Sequence, residues 1–279
     1  MRGVVSAGMV SALEDLGLTD AFDAVYGSSA GALNAAYFLA GQARLGTTIY
    51  YEDINNRRFI DLRRPLIGRP IVDLRFLIDE VARRRKTLDA ARVLSGPTPL
   101  VVMATDAATA ARVPLRGFTD PTELFAALRA GATMPVVAGP PVACRGRLYL
   151  DASLTEPIPV PIAEEDGCTH ILALLTRPRD TPRRSTRLDR WYVQPRLRRL
   201  SPALAARYAD RRGPYAELLE RLSRGRGPLD RAEVLAIRPA PPEVSKLERD
   251  GTRLREAARR GFDAVVEAFG KRPIRAGQR

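Results

Sequence analysis

Phe22-Asp23-Ala24-Val25-Tyr26-Gly27-Ser28-Ser29-Ala30-Gly31-Ala32-Leu33-Asn34-Ala35-Ala36 is the stretch from which the fold of this chain is read. Phe22 to Tyr26 is β-prone and predicts a short strand. Ala30 to Ala40, rich in small residues and stopped by Gly41, predicts a helix. Between them Gly27-Ser28-Ser29-Ala30-Gly31 has the form GxSxG. A serine in so tight a strand-to-helix turn is held out of the chain's path as an exposed nucleophile, with the next amide beside it. Glycines are expected on both sides because side chains there would clash, and the following helix turns its positive end toward the serine. Glycine and serine clusters also make ordinary turns; the strand before and the helix after give this one chemical meaning.

Outward from the turn, Met9, Val10, Leu13 and Leu16 recur at helical spacing before Gly17 and predict an amphipathic opening helix. Leu100 to Ala104, bounded by Pro99 and Asp106, predicts a strand buried in a parallel sheet. Asp120-Pro121-Thr122-Glu123 supplies a cap, a first-turn proline and a capping-box acid for a helix over Leu124 to Ala130. Leu148 to Leu150, stopping at Asp151, and His170 to Leu175 predict two further strands. Thr48 to Arg92 is expected to be an insertion whose helical signal runs from Val72 to Arg85. Alternating strands and helices predict an α/β fold with a mainly parallel sheet between helical layers.

Composition shifts after Thr176, which predicts a core over 1–176 and a basic helical extension over 177–279 that completes or covers it. In the extension, Val234 to Ile237 predicts a strand. A final helix is expected to be capped by Ser245 with Glu248, its apolar stripe being Leu254, Ala258, Phe262, Val265 and Phe269.

The 279 residues carry a formal charge of +13, almost all of it from arginine, since Lys86, Lys246 and Lys271 are the only lysines. Such a balance favours anionic partners, either acidic membrane or nucleic acid. Arg183 to Arg212 interleaves arginines with Trp191, Tyr192 and Tyr208, but no recognition motif accompanies the charge. Nucleic acid is therefore the weaker expectation, behind a charged helical surface and docking to acidic lipid. No apolar run is long enough to span a bilayer and Met1 to Val5 has no secretory pattern, so the expectation is a cytoplasmic protein, with peripheral contact at the inner membrane face. Cys144 and Cys168 fit neither a disulfide framework nor a metal spacing.

A serine hydroxyl needs a base before it can attack. Ser29, Asp151 and His170, the only histidine, follow the chain order of an α/β-hydrolase triad. His170, however, opens a predicted strand, whereas that histidine normally sits in a loop after the last strands. Asp151 lies where a strand ends and a loop begins, which suits a carboxylate base aimed at Ser29.

Together these segments resemble the patatin-like phospholipases. That family carries a glycine-rich oxyanion segment ending in Arg-Gly, a GxSxG elbow, and Asp-Gly-Gly or Asp-Gly-Ala bearing the base. Arg2-Gly3 matches the end of the first, Gly27 to Gly31 the second, and Asp151-Ala152-Ser153 approximates the third. Ala132-Thr133-Met134-Pro135, Pro140-Pro141-Val142 and Arg147 to Asp151 are similar to the approach to the family's aspartate. Leu175 to Pro178, Tyr215 and Val244 to Arg249 resemble the tail of a bacterial branch.

The resemblance implies a three-layer α/β/α hydrolase acting on acyl esters of lipids, phospholipid or lysophospholipid. In it Ser29 attacks the ester, Asp151 takes and returns the proton, the amides of Gly3 and Ala30 hold the oxyanion, and Arg2, Gly27 and Gly31 are motif positions. No metal or organic cofactor is implied. Two departures stand out. The strand and glycine run that precede Arg-Gly in the family are missing before Arg2, so a mis-set start or a truncation is expected, with a weakened oxyanion hole. Ala152 replaces a glycine, which matters only if that position needs a positive φ. The rival expectation is a lipid-binding or regulatory protein of the same fold that has lost catalysis.

Overall fold

The structure, a computed structural model, describes residues 1–178 and 193–270. Its strands in chain order are β1 (Val25–Ser28), β2 (Leu100–Asp106), β3 (Arg112–Leu115), β4 (Val142–Cys144), β5 (Arg147–Asp151), β6 (His170–Leu174) and β7 (Glu233–Ile237). Its α-helices are α1 (Gly3–Asp15), α2 (Ala30–Leu39), α3 (Ala43–Thr48), α4 (Ala90–Ser95), α5 (Pro121–Ala132), α6 (Val160–Glu165), α7 (Gln194–Leu200), α8 (Pro202–Asp210), α9 (Arg212–Ser223) and α10 (Gly251–Gly270).

β2 is the axis, buried at all seven positions. β3 pairs with it antiparallel across Val102 to Thr105 and so occupies one edge. The opposite edge is shared. β1 runs parallel against Leu100 to Met103, and β5 runs antiparallel against Ala104 to Asp106. These two strands therefore lie end to end, and their C-terminal residues meet: Ser28 pairs with Met103, Asp151 with the adjacent Ala104. β4 pairs antiparallel with β5, while β6 and β7 form a second, parallel pair. The α/β class is as expected. The parallel pairings are β1–β2 and β6–β7, and the antiparallel strands β3, β4 and β5 gather around the C-terminal half of β2.

Several local expectations are corrected. β1 starts three residues later than Phe22 and runs into the GxSxG segment. α1 is not amphipathic: every residue from Val4 to Leu13 is buried, because α2 and α3 pack on it as well as α10. Its polar Ser11 survives there by donating to the Ala7 carbonyl at 3.0 Å and meeting Thr47 Oγ1 at 2.8 Å. In the insertion, Val72 forms a bridge with Ile60, and the helix that follows is wound as a π-helix over Phe76–Arg85.

The capping residues act as expected only in part. Asp120 accepts from the Glu123 amide at 3.0 Å, as expected for α5, but the Glu123 carboxylate reaches the Thr119 amide rather than that of Asp120. α10 begins after Asp250, whose carboxylate accepts from Arg253 N–H at 3.0 Å. Ser245 and Glu248 instead cap a turn ahead of it, accepting from Leu247 and from Arg249 and Asp250.

Among the described residues beyond 177, β7 pairs with β6 and α10 lays Leu254, Ala257, Ala258, Gly261 and Val265 against α1, whereas Leu197 and Leu204 of α7 and α8 pack with Leu150 and Leu154 in a separate apolar cluster. In the arginine-rich region, Trp191 and Tyr192 lie outside the described residues. Tyr208 is buried on α8 with the Arg211 guanidinium 3.3 Å from its ring centre, so it offers no open face for stacking a base.

Candidate active site

Ser29 sits between β1 and α2 at φ 54°, ψ −128°, a conformation that a side chain rarely adopts. Gly27 permits it: a Cβ at that position would stand 2.3 Å from the Ala32 Cα and 2.6 Å from its nitrogen. The other expected glycine is corrected, since a Cβ on Gly31 meets nothing within 4 Å. Gly27→Ala is accordingly expected to destabilise the chain by about 1–3 kcal/mol, whereas Gly31→Ala stays within about 0.5 kcal/mol. Thermal unfolding of the two variants side by side checks this.

The Ser29 hydroxyl donates to Asp151 Oδ2 at 2.7 Å. The end-to-end meeting of β1 and β5 on β2 explains how residues so distant in sequence reach hydrogen-bond distance. Asp151 is held on every side. Its amide donates to the Thr133 carbonyl at 2.9 Å, and its own carbonyl accepts from Thr105 Oγ1 at 3.0 Å. Oδ1 accepts from the Ser153 amide at 2.7 Å, leaving Oδ2 for the serine. Ser28 ties the two halves together by donating to the Glu156 carbonyl at 2.7 Å.

Asp151 is 3% exposed, and that burial pushes its carboxyl above the usual carboxylate range. The hydrogen bonds from Ser153 and Ser29 and the nearby positive charge of Lys246 pull the other way. Ala152 has no positive φ and starts a short 3-10 turn, so this chain does not need glycine there.

His170 begins β6, is exposed, and has Nδ1 3.0 Å from Thr169 Oγ1. With Ser29 bonded directly to Asp151, no imidazole stands between them.

Gly3 and Ala30 are the first residues of α1 and α2. A Cβ on Gly3 would lie 2.6 Å from Ala30 Cβ and 2.5 Å from Tyr50 Oη, so the two helix starts are in contact. Asn34, only 3% exposed, holds them there. Its Nδ2 donates to the Gly3 carbonyl at 2.9 Å, and its Oδ1 accepts from the Tyr50 hydroxyl at 3.0 Å. Among the described residues neither the Gly3 nor the Ala30 amide donates to a protein acceptor, which leaves both for a ligand oxygen. Arg2 points elsewhere: its guanidinium bonds Glu243 Oε1 at 2.8 Å, and Arg177 grips the same carboxylate.

Ser29 lines a large cleft whose partly exposed apolar residues include Ile71, Val72, Met134, Val137 and Ile158. Among the described residues no group of His, Cys, Asp or Glu is placed to hold a metal, and both cysteines are free thiols.

Sequence reasoning missed Asn34, Tyr50 and Thr105, and placed Thr133 only in a stretch similar to the approach to the family's aspartate, with no role of its own. The one signal available was Asn34, a polar residue at the centre of a run of small apolar ones.

A family model described as patatin-like phospholipase matches residues 1–164. YjjU of Escherichia coli (strain K12), described as an uncharacterized protein, is 26% identical over 198 residues, 68% of this chain and 54% of that protein. The chain thus spans about half the length of that curated relative. With the family match covering more than half of the chain, including the serine elbow and the aspartate strand, the chain belongs to the patatin-like phospholipase family, whose members act on lipid esters.

Proposed function

We propose that this chain is a serine acyl hydrolase that cleaves carboxyl esters of lipids, phospholipid or lysophospholipid, through a Ser29–Asp151 dyad. The observation that carries the proposal is the 2.7 Å bond from a strained serine to a buried carboxylate. As Ser29 Oγ attacks the ester carbonyl carbon, its proton passes to Asp151 Oδ2. The carbonyl oxygen becomes an oxyanion and takes hydrogen bonds from the amides of Ala30 and Gly3. Collapse breaks the bond to the alcohol, which leaves with the proton from Asp151 and so yields an acyl-Ser29. Water then gives a proton to Asp151 and attacks the acyl carbon, and the second collapse returns that proton to Ser29 as the fatty acid departs.

Burial supports Asp151 in this role. An ordinary carboxylate is a weak base toward an alcohol, and desolvation narrows the mismatch. The apolar cleft walls suit an acyl chain.

A fluorophosphonate probe tests the assignment, because it reacts only with a serine that is both activated and facing an oxyanion site. Labelling of the full chain that vanishes in Ser29→Ala, together with release of fatty acid from lysophosphatidylcholine, is expected. A folded chain that takes no label would place it with the lipid-binding alternative.

A further inference from the structure

The three most exposed large aliphatic side chains among the described residues lie close together in the chain: Leu66 is 87% exposed, Ile67 69% and Leu62 63%. All belong to one excursion, residues 61–71, in the insertion between α3 and α4. Its base is fastened. Ile60 and Val72 form an antiparallel bridge, Asp61 N–H donates to the Ile71 carbonyl at 3.0 Å, and Asp73 N–H donates to the Phe59 carbonyl at 2.9 Å. At the tip, the 3-10 turn Arg64–Ile67 is stopped by Gly68 at φ 71°. Phe59 and Ile60, just inside the base, are buried. The fold thus holds a small apolar knob out in water while anchoring its stem, and exposed apolar groups rimmed by polar ones mark interaction surfaces.

The rim is cationic. Residues 57–69 contain Arg57, Arg58, Arg63, Arg64 and Arg69 against Asp61 alone. Arg64 braces the loop by donating to backbone carbonyls of Phe59 and Arg58, and Arg63 is held by both carboxylate oxygens of Asp61 at 3.1 Å, while Arg57 and Arg69 are exposed around the knob. Aliphatic tips surrounded by guanidinium groups fit the boundary of an anionic bilayer, where the tips pass the headgroups and the charges meet phosphates. Nucleic acid would match the arginines but leave Leu66 and Ile67 unused. An apolar protein face would leave the arginines unmatched.

The foot of the knob, though not its tip, reaches the cleft of the proposed chemistry. Leu62, Phe59, Ile60, Ile71 and Val72 line the same cleft as Ser29 and Asp151. We propose that residues 61–71 dock this protein on an anionic bilayer, with Leu62, Leu66 and Ile67 entering the headgroup boundary and Arg57 and Arg69 meeting lipid phosphates. An acyl chain then moves from the bilayer along Leu62 and Ile71 toward Ser29. This last step rests on the lipid-hydrolase proposal; the docking does not.

Cosedimentation tests the docking, with the full chain carrying Ser29→Ala so that the vesicles are not consumed. The vesicles are phosphatidylcholine alone and phosphatidylcholine mixed with phosphatidylglycerol. Tighter binding to the acidic vesicles is expected. Leu66→Ser with Ile67→Ser lowers it at least about tenfold, and Arg57→Gln with Arg69→Gln lowers it by a comparable factor on acidic vesicles only. In the Ser29 background the same substitutions leave hydrolysis of a short, water-soluble ester unchanged.

Failure to bind acidic vesicles, or binding that ignores the serine substitutions, overturns the docking proposal. So does a dimer, seen by sedimentation velocity, that those substitutions dissociate while vesicle binding persists, since the knob would then be a contact between copies. A chain that binds vesicles through the knob yet takes no fluorophosphonate label sinks the hydrolase alone. A labelled, active chain indifferent to vesicles sinks the docking alone.

Discussion

Asp151→Asn is expected to slow ester hydrolysis by about 10²- to 10⁴-fold, the span of a lost general base, and Ser29→Ala by about 10⁶-fold. The double variant is expected to be no slower than Ser29→Ala, because two groups that share one proton act as a unit. The pH dependence carries a sign that a purely structural aspartate would not produce. Hydrolysis needs the ionised carboxylate, so kcat/KM rises with pH through the Asp151 titration. Burial places that rise above the range of an exposed carboxyl, and Asp151→Asn removes it.

Stability is expected to move the opposite way. The folded-state pKa of Asp151 is raised, so the aspartic acid form is the one that the fold prefers. The stability tied to that form is fully present below the unfolded carboxyl's pKa and is lost as pH climbs through the folded value. Asparagine keeps the shape: its Oδ1 still accepts from Ser153 N–H, and its Nδ2 can donate to Ser29 Oγ. Asp151→Asn should therefore match the parent's melting temperature in acid and exceed it at neutral and alkaline pH. A variant less stable than the parent at neutral pH would mean that the site stabilises the carboxylate, and Asp151 would then be a poorer base than proposed.

That Ser29 and Asp151 are the residues to test was legible in the sequence; why they meet was not. The turn is local, set by Gly27 and by the strand and helix around it, and local patterns are what a sequence displays. The meeting depends on β1 and β5 sharing one edge of β2 in adjacent registers, a property of pairing between segments more than a hundred positions apart. The supports of Asp151 were hidden for the same reason: Thr133 lies in a stretch similar to the family's approach to its aspartate, but that its carbonyl accepts from the Asp151 amide, and that Thr105 donates to the Asp151 carbonyl, shows only once the sheet forms. α1 departs from the expected amphipathic helix because its small residues, Gly8 and Ala12 among them, let neighbours close on faces that a helical wheel leaves to solvent. α10 starts later than the Ser245–Glu248 pattern predicts because Asp250 is itself a capping residue type, and the Glu248 carboxylate is taken up by the turn between them.

Gly8→Ala and Gly261→Ala are each expected to destabilise the chain by about 3 kcal/mol, the upper end for overpacking, because the added methyl meets backbone that cannot swing aside. A Cβ on Gly8 would stand 1.9 Å from the Ala258 carbonyl oxygen on α10, and one on Gly261 would stand 2.1 Å from the Val5 carbonyl oxygen on α1. Either change forces the two helices apart along their shared seam. Alanine's better helix propensity returns about 1 kcal/mol at most, so the sign is not in doubt. Gly213→Ala, on α9 with nothing within 4 Å, isolates that propensity effect and is expected to be neutral or slightly stabilising. In thermal unfolding the two seam variants should lose roughly 6–12 °C. Their combination should lose less than the sum, because helices already parted by one methyl accommodate the second more easily. Activity is expected to fall with them even at temperatures where the protein stays folded. α1 begins at Gly3, pressed against Ala30 beside the nucleophile, so a helix displaced at Gly8 carries the Gly3 amide away from the oxyanion that it is proposed to hold. If both seam variants melt early yet label with fluorophosphonate at the parent's rate at low temperature, the start of α1 takes no part in the oxyanion site and Ala30 must serve without it.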